Sequence, residues 1–348
     1  MSMKLGIIGF GGMGKFHSKQ APKAGVTVIG AADIKEERVQ EAIEAGIKGY
    51  HSADELLADP EINTVILTVP NHLHKEMAIK AAKAGKNVIT EKPAALNVAE
   101  LDEMTKACEE AGVCFTTHQN RRWDRDMLTV KKAYETGMLG KVFTIESRLH
   151  SGNGYMHEWH LYKKYGGGIM YDWGVHLIDQ ILFMMPDAKV KTVFADLKNV
   201  LHEEVDDYFK IILKMDNGVT AHIELSTYIL KYQPRWLAAG DKGTLIVDDF
   251  GCHGSIYRTG KLLEKLPPQI TETEAGPTRQ FAPVPPGGIV EEPLPEVETD
   301  WVDFYRNVDD VLNGRAESKI KIPEVRRVLS VMEAAWKSAE TGEAVLFE

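Results

Sequence analysis

The sequence predicts an α/β fold in two parts. The first is an N-terminal doubly wound parallel sheet, and the second a C-terminal α+β region with a large open, mostly antiparallel sheet. Three observations predict this. Short strand-like and helix-like segments alternate through residues 1–120, longer period-two segments dominate later, and 348 residues exceed what one average core organises. The boundary is expected near residue 122, dividing the chain into 1–122 and 123–348.

In the first part, KLGIIGF (4–10), VTVIGAAD (26–33), TVILTVP (64–70), NVITEK (87–92) and VCFTTHQN (113–120) are short, β-branched and mostly apolar. Little alternation means burial on both faces, as in a parallel sheet. Between them, EERVQEAIEAG, ADELLAD, HLHKEMAIKAAKAG and NVAELDEMTKACEEAG read as helices. Gly46, Gly85 and Gly112 precede strands and suit helix C-caps.

The second part starts with a helix near 126–137 and the strand KVFTIESRLH (141–150). Alternating segments follow at 188–200, 206–215 and 219–228, the last two joined by Asp216-Asn217-Gly218, a hairpin signal. GTLIVDD (243–249) and GSIYRTG (254–260) continue the meander. About half of the 15 prolines fall between Pro267 and Pro295, which predicts a long irregular loop or an arm over a neighbour. Helices at 299–313 and 323–341 close the chain, the last able to pack back on the first domain.

Composition excludes several classes. A net charge of −10 argues against a nucleic-acid binder, which needs a basic face. No apolar run reaches the length of a membrane span, so no membrane partner is expected. The start, MSMKLGIIGFGGMG, has an apolar run too short for a signal peptide and broken by glycines. Cys108, Cys114 and Cys252 are odd in number without CxxC spacing, which fits a reducing compartment. A cytoplasmic location is expected.

GFGGMG places Gly9, Gly11 and Gly14 in G-x-G-x-x-G spacing, with Gly12 and Met13 inside the turn. Glycines there admit a pyrophosphate to the start of the next helix. Asp33, ending the second strand, is placed to accept hydrogen bonds from an adenosine ribose and to repel a 2′-phosphate. NAD is therefore favoured over NADP, although Lys35 and Arg38 stand nearby. Thr68, Pro70, Asn71 and His74 follow another strand, and Glu91 and Lys92 end the next. All belong to the edge where such sheets bind ligands.

The segment GGGIMYDWGVHLIDQ (166–180) carries Asp172, His176 and Asp179 on one face if helical. A helix cap with a core histidine, a metal site and a catalytic pair are all open on residues alone. Three groups without a convincing fourth argue against metal, and none is expected. Just upstream, GNGYMHEWHLYKKYGGG holds His157 and Trp159, types suited to the C–H faces and hydroxyl rims of a sugar, or to a hinge or subunit contact.

Together GFGGMG, AAD, VPNHLH, EKPAALN and GGGIMYDWGVHLID resemble, in order, the glucose–fructose oxidoreductase/inositol dehydrogenase (Gfo/Idh/MocA) family. The resemblance spans most of the chain and weakens after about residue 250. It implies a Rossmann domain, NAD, and hydride exchange with a secondary alcohol of a sugar, glycoside or cyclitol. Carried over, Lys92, Asp172 and His176 match the family's catalytic lysine, aspartate and histidine. His176 is expected to accept the proton and Lys92 to stabilise the oxygen, a division the two could reverse, and Asp172 to orient the imidazole or bind a neighbouring hydroxyl. In HQNRRWD, Asn120 and Arg121 are implied at the nicotinamide end, and Arg122 is a substrate-side candidate with His157 and Trp159. The triple glycine is expected to let backbone approach the ligand. Asp179, deeper in the apolar run, is expected to make a local or interdomain hydrogen bond. A glycoside 3-dehydrogenase, an inositol dehydrogenase and an NAD-recycling glycoside-cleaving enzyme are the readings within the family. A homo-oligomer is implied, because an open sheet face needs covering.

Overall fold

A computed structural model describes residues 2–156, 158–260, 270–279 and 287–347. The first part alternates β1 (Lys4–Ile8), α1 (Gly12–Gln20), β2 (Thr27–Ala32), α2 (Glu36–Glu44), β3 (Lys48–Tyr50), α3 (Ala53–Ala58), β4 (Thr64–Leu67), α4 (His74–Lys83), β5 (Asn87–Thr90), α5 (Val98–Ala111) and β6 (Phe115–Thr117). The six strands lie in the order β3-β2-β1-β4-β5-β6, and every pairing is parallel. Leu5, Ile7, Val65, Ile66 and Leu67 are fully buried, as strands covered on both faces require. The strand β3 is absent from the sequence reading. It has three residues and is held close under α2 by Gly49, where a Cβ would come within 2.8 Å of Val39 Cγ1.

The second part contains α6 (Arg125–Glu135), β7 (Val142–His150), α7 (Val175–Met184), β8 (Val190–Lys198), β9 (Tyr208–Met215) and β10 (Thr220–Ser226). It continues with β11 (Trp236–Gly240), β12 (Gly243–Val247), β13 (Gly254–Thr259), β14 (Ile270–Thr273), β15 (Gly276–Arg279), β16 (Ile289–Pro293), α8 (Asp303–Leu312), α9 (Ile322–Thr341) and β17 (Val345–Leu346). Among the described residues, nine strands form one sheet, β16-β13-β12-β11-β7-β10-β9-β8-β17, parallel only between β7 and β10. Alternation gives it two unlike faces. Ile145, Ile211, Leu213, Ala221 and Ile223 are fully buried on the side covered by α7 and α9. Glu146, Lys210, Ile212, His222 and Glu224 point to the other side and are only partly covered.

The proline-rich stretch is not one irregular excursion. Its described residues form the β14–β15 hairpin and the edge strand β16, where Pro293 is tolerated at an outer position. Residues 261–269 and 280–286 of that stretch lie outside the described residues. The closing helix α9 returns to the first part. Arg326 pairs with Asp102 of α5 at 2.9 and 3.1 Å, and Glu333 accepts the Val98 N–H at 2.8 Å. Among the described residues, no helix is long and apolar enough to cross a membrane.

Candidate functional site

Because strand order reverses beside β1, the carboxyl ends of β1 and β4 frame a crevice at the switch point of the parallel sheet. The fingerprint glycines divide their work there. A Cβ on Gly9 would lie 2.7 Å from Thr68 O, and one on Gly14 would strike Gly9 O, so these two serve the turn itself. A Cβ on Gly12 would meet nothing within 4 Å. The helix α1 starts at Gly12 with no side-chain cap, leaving its first N–H groups available to an anion. That cradle fits a dinucleotide pyrophosphate. Met13, 39% exposed, stands at its edge.

Asp33 is fixed at the end of β2 by backbone. Its Oδ2 accepts the Phe10 N–H at 2.8 Å and its Oδ1 the Lys35 N–H at 3.0 Å. Arg38 Nη1 lies 3.4 Å from the same carboxylate and over Gly11, so a cation shares the ribose end. The Thr68 hydroxyl is donated back to Ile8 O and Gly9 O, stitching β4 to the phosphate turn, and Pro70 starts the short helical turn 71–73.

Four of the expected ligand residues have side chains engaged with protein groups. Asn71 is buried and donates Nδ2 to Gly166 O at 2.8 Å, tying the end of β4 to the triple glycine. His74 is fully buried, its ring nitrogens 2.8 Å from Pro93 O and 3.0 Å from Val69 O. Burial lowers its pKa, and the neutral ring can donate to only one of these carbonyls at a time. Glu91 turns inward, where its Oε1 meets His17 Nε2 at 2.7 Å and His118 Nδ1 at 2.9 Å. Arg122 donates to both oxygens of Asp179 at 2.9 and 2.6 Å, to Lys319 O and to Glu324, all as buried or partly buried contacts. The reason is common to all four. Each lies where chain segments join, and a polar group removed from water is stable only when hydrogen-bonded.

The catalytic candidates converge from different elements. Lys92 Nζ donates to Asp172 Oδ1 at 2.6 Å and to Asp172 O at 2.8 Å. Asp172 does not sit in a regular α-helix. It belongs to a π-helical turn, Met170–Gly174, which continues into α7 and carries His176. Such wide turns are frequent at functional sites because the extra residue re-aims side chains. His176 is 3% exposed and its Nδ1 has no partner among the described residues. Burial first, then Lys92 and Arg121, hold its pKa well below the usual histidine range, so the ring is neutral near pH 7.

Arg121 is stacked 4.0 Å over Trp173 and held by Asp124 at 3.0 Å, while Asn120 sits half-buried in the same short turn at the domain junction. On the outer side, Trp159 stacks on His160 at 3.8 Å, and His160 Nε2 lies 3.8 Å from Asp172 Oδ1. His157 lies outside the described residues.

The triple glycine makes room for protein rather than ligand. A Cβ on Gly166 would lie 2.9 Å from Asn71 Cβ, one on Gly167 would strike His160 O, and one on Gly168 would strike Asp206 Oδ1. Asp206 holds the π-helical turn by accepting the Met170 N–H at 2.7 Å, and burial raises its pKa to about 6.

Gln119, Trp173 and Asp206 are the residues sequence reasoning missed. The Gln119 amide is buried with neither Nε2 nor Oε1 partnered among the described residues, beside Asn120 and Arg121. In sequence it is one polar residue among several at a strand end, and no spacing distinguishes it.

Comparison with known proteins follows the same division. Residues 3–119 match the family model described as "Oxidoreductase family, NAD-binding Rossmann fold", and residues 127–246 match the GFO/IDH/MocA C-terminal domain. A myo-inositol 2-dehydrogenase of Thermotoga maritima is 31% identical over 71% of this chain and 75% of that protein. A scyllo-inositol 2-dehydrogenase (NADP(+)) of Bacillus subtilis is 28% identical over 100% of this chain and 96% of its own length. Among solved structures, an NAD-binding protein from Listeria innocua superposes with a TM-score of 0.92, at 36% identity, covering 100% of both chains.

Proposed function

The chain belongs to the Gfo/Idh/MocA oxidoreductase family, and on that premise we propose that it is an NAD-dependent dehydrogenase of a sugar, glycoside or cyclitol secondary alcohol. The observation that carries this reading is the Lys92–Asp172 pair at 2.6 Å beside a buried histidine held neutral. A dinucleotide held at the phosphate turn and Asp33 would supply the hydride acceptor in its nicotinamide. Everything else is work for side chains. Neutral His176 takes the hydroxyl proton, and the Lys92 ammonium holds the same oxygen as negative charge develops on it. Asp172 aims that ammonium, a role on the lysine in place of the expected one on the imidazole. Trp159, stacked on His160, offers a flat face for the C–H side of a ring substrate.

NAD is favoured over NADP because the Asp33 carboxylate is locked at the ribose end, even with Arg38 beside it. Oxidation at C3 of a glycoside stays within this reading, as does inositol oxidation, the activity in the names of two relatives. Lys92→Ala and His176→Ala should each lower kcat/KM by about 10³-fold while NAD affinity stays within a few-fold. A screen of glycosides and cyclitols by NADH absorbance, with mass spectrometry of co-purified nucleotide, measures both. Retained turnover in the two variants would remove the mechanism.

The open face of the nine-stranded sheet, with Ile212 among charged neighbours, is covered by a second copy of the chain in this reading. Sedimentation should show a dimer or larger species, and a monomer at all concentrations would exclude it.

A further inference from the structure

Glu91 and Lys92 are adjacent at the end of β5, and an unoccupied carboxylate there would compete with Asp172 for the lysine. It is fully engaged elsewhere. Glu91 Oε2 accepts the Lys92 backbone N–H at 3.0 Å, and Oε1 receives His17 Nε2 at 2.7 Å and His118 Nδ1 at 2.9 Å. We propose that His17 and His118 are positioning residues that hold the Glu91 carboxylate away from the Lys92 ammonium, reserving Lys92 for Asp172 and the reacting oxygen. The inference rests on the reading of Lys92 given above.

The hydrogen bonds have a consistent direction. Burial lowers the His17 pKa to about 4, so its ring is neutral and carries one N–H. Tyr305 of α8 donates its hydroxyl to Nδ1 at 2.7 Å, which leaves Nε2–H to donate to Glu91. His118, at the end of β6, donates Nδ1–H to the same oxygen and packs its ring 4.6 Å from Phe304. Burial opposes the Glu91 charge, yet the two histidines outweigh it and hold the carboxylate well below its ordinary range. One carboxylate thus joins the phosphate-binding helix, two strand ends and α8 directly beneath the lysine. The same three ligand-type atoms lie within 4.8 Å of one another, the spread that could hold a metal ion, but two of the separations are hydrogen-bond lengths and each has an assigned donor.

The test uses paired variants of the full chain. Leucine at position 17 or 118 removes the donor, whereas His17→Gln and His118→Asn keep an N–H near the original nitrogen. In H17L and H118L, kcat should fall by about 10–100-fold with little change in cofactor affinity. The pH profile of kcat should shift, because a second carboxylate then faces the ammonium. The amide variants should recover most of both. Tyr305→Phe, which removes only the hydroxyl that fixes the His17 tautomer, gives a smaller loss in the same direction and serves if the leucine variants fail to fold. Lys92→Ala, made alongside, separates the two readings. Unchanged turnover in Lys92→Ala overturns the role of Lys92 and this proposal with it. Turnover lost there but kept, with an unshifted profile, in H17L, H118L and Tyr305→Phe overturns this proposal alone. A stoichiometric divalent metal in the purified protein, lost in H17L, overturns it as well.

Discussion

Two glycine-rich turns of similar composition solve opposite problems. In GFGGMG the outer glycines, Gly9 and Gly14, give way to the protein's own backbone, while Gly12 leaves open space before an uncapped helix. In GGG at 166–168 no position is open, since each glycine is pressed by Leu96 and Asn71, by His160 O, or by Asp206. Each turn is also held by an aspartate that accepts a backbone N–H, Asp33 from Phe10 and Asp206 from Met170. The first turn is shaped around a ligand and the second around the chain. Glycine content alone therefore says that something comes close, without saying what.

The largest expected effect breaks the second turn. Gly168 has φ +105° and would direct a Cβ into Asp206. Gly168→Ala should lower folding stability by about 3 kcal/mol, from backbone strain and overpacking together. Thermal unfolding measures it. Unchanged stability would mean the triple glycine serves a ligand after all, as the sequence alone suggested.

The two turns also differ in how far they could be read from sequence. The parallel sheet was legible because its signals are local: five of six strands, the helix caps and the spacing to Asp33 each occupy a few consecutive residues. What escaped depends on distant partners. Nothing in the sequence signals that the Asn71 amide is taken by Gly166, or that Asp179 and Glu324 enclose Arg122. Asp179 makes a hydrogen bond of the kind its place in the apolar run suggests, but its partner is 57 residues away and no periodicity names it. The π-helical turn is invisible to a rule of spacing by three and four, which assumes the regular helix that Asp172 departs from. The strand β11 was missed because WLAAG is short and does not alternate.

An intermediate effect sharpens the contrast from the other turn. Gly12→Ala adds a methyl group that meets no protein atom, at the first residue of a helix where alanine is favoured. Stability should stay within about 0.5 kcal/mol, or rise, while NAD affinity falls about tenfold, as expected for one weakened hydrogen bond to a charged phosphate. Calorimetric titration with NAD, run beside a thermal melt, reads both. A variant that loses stability but binds NAD normally would place Gly12 with the glycines of the second turn.

The smallest effect concerns the carboxylates that hold the turns. Burial raises the Asp206 pKa to about 6 from an ordinary value of 3.8, so the folded chain binds its proton more readily than the unfolded chain does. The sign follows from linkage. A raised folded pKa contributes stability that is complete below pH 3.8 and is lost as pH rises through about 6. Asp206→Asn keeps an oxygen to accept the Met170 N–H and removes the ionisation. The Tm of the variant, measured relative to the native chain, should therefore climb between pH 4 and pH 7. The change should be modest, about 2 °C, because Asp206 is one contributor among many. A difference that stays constant across that window would show that Asp206 is not protonated in the folded chain. The second turn would then be held, like a permanently charged cap, in the same way at every pH in that window.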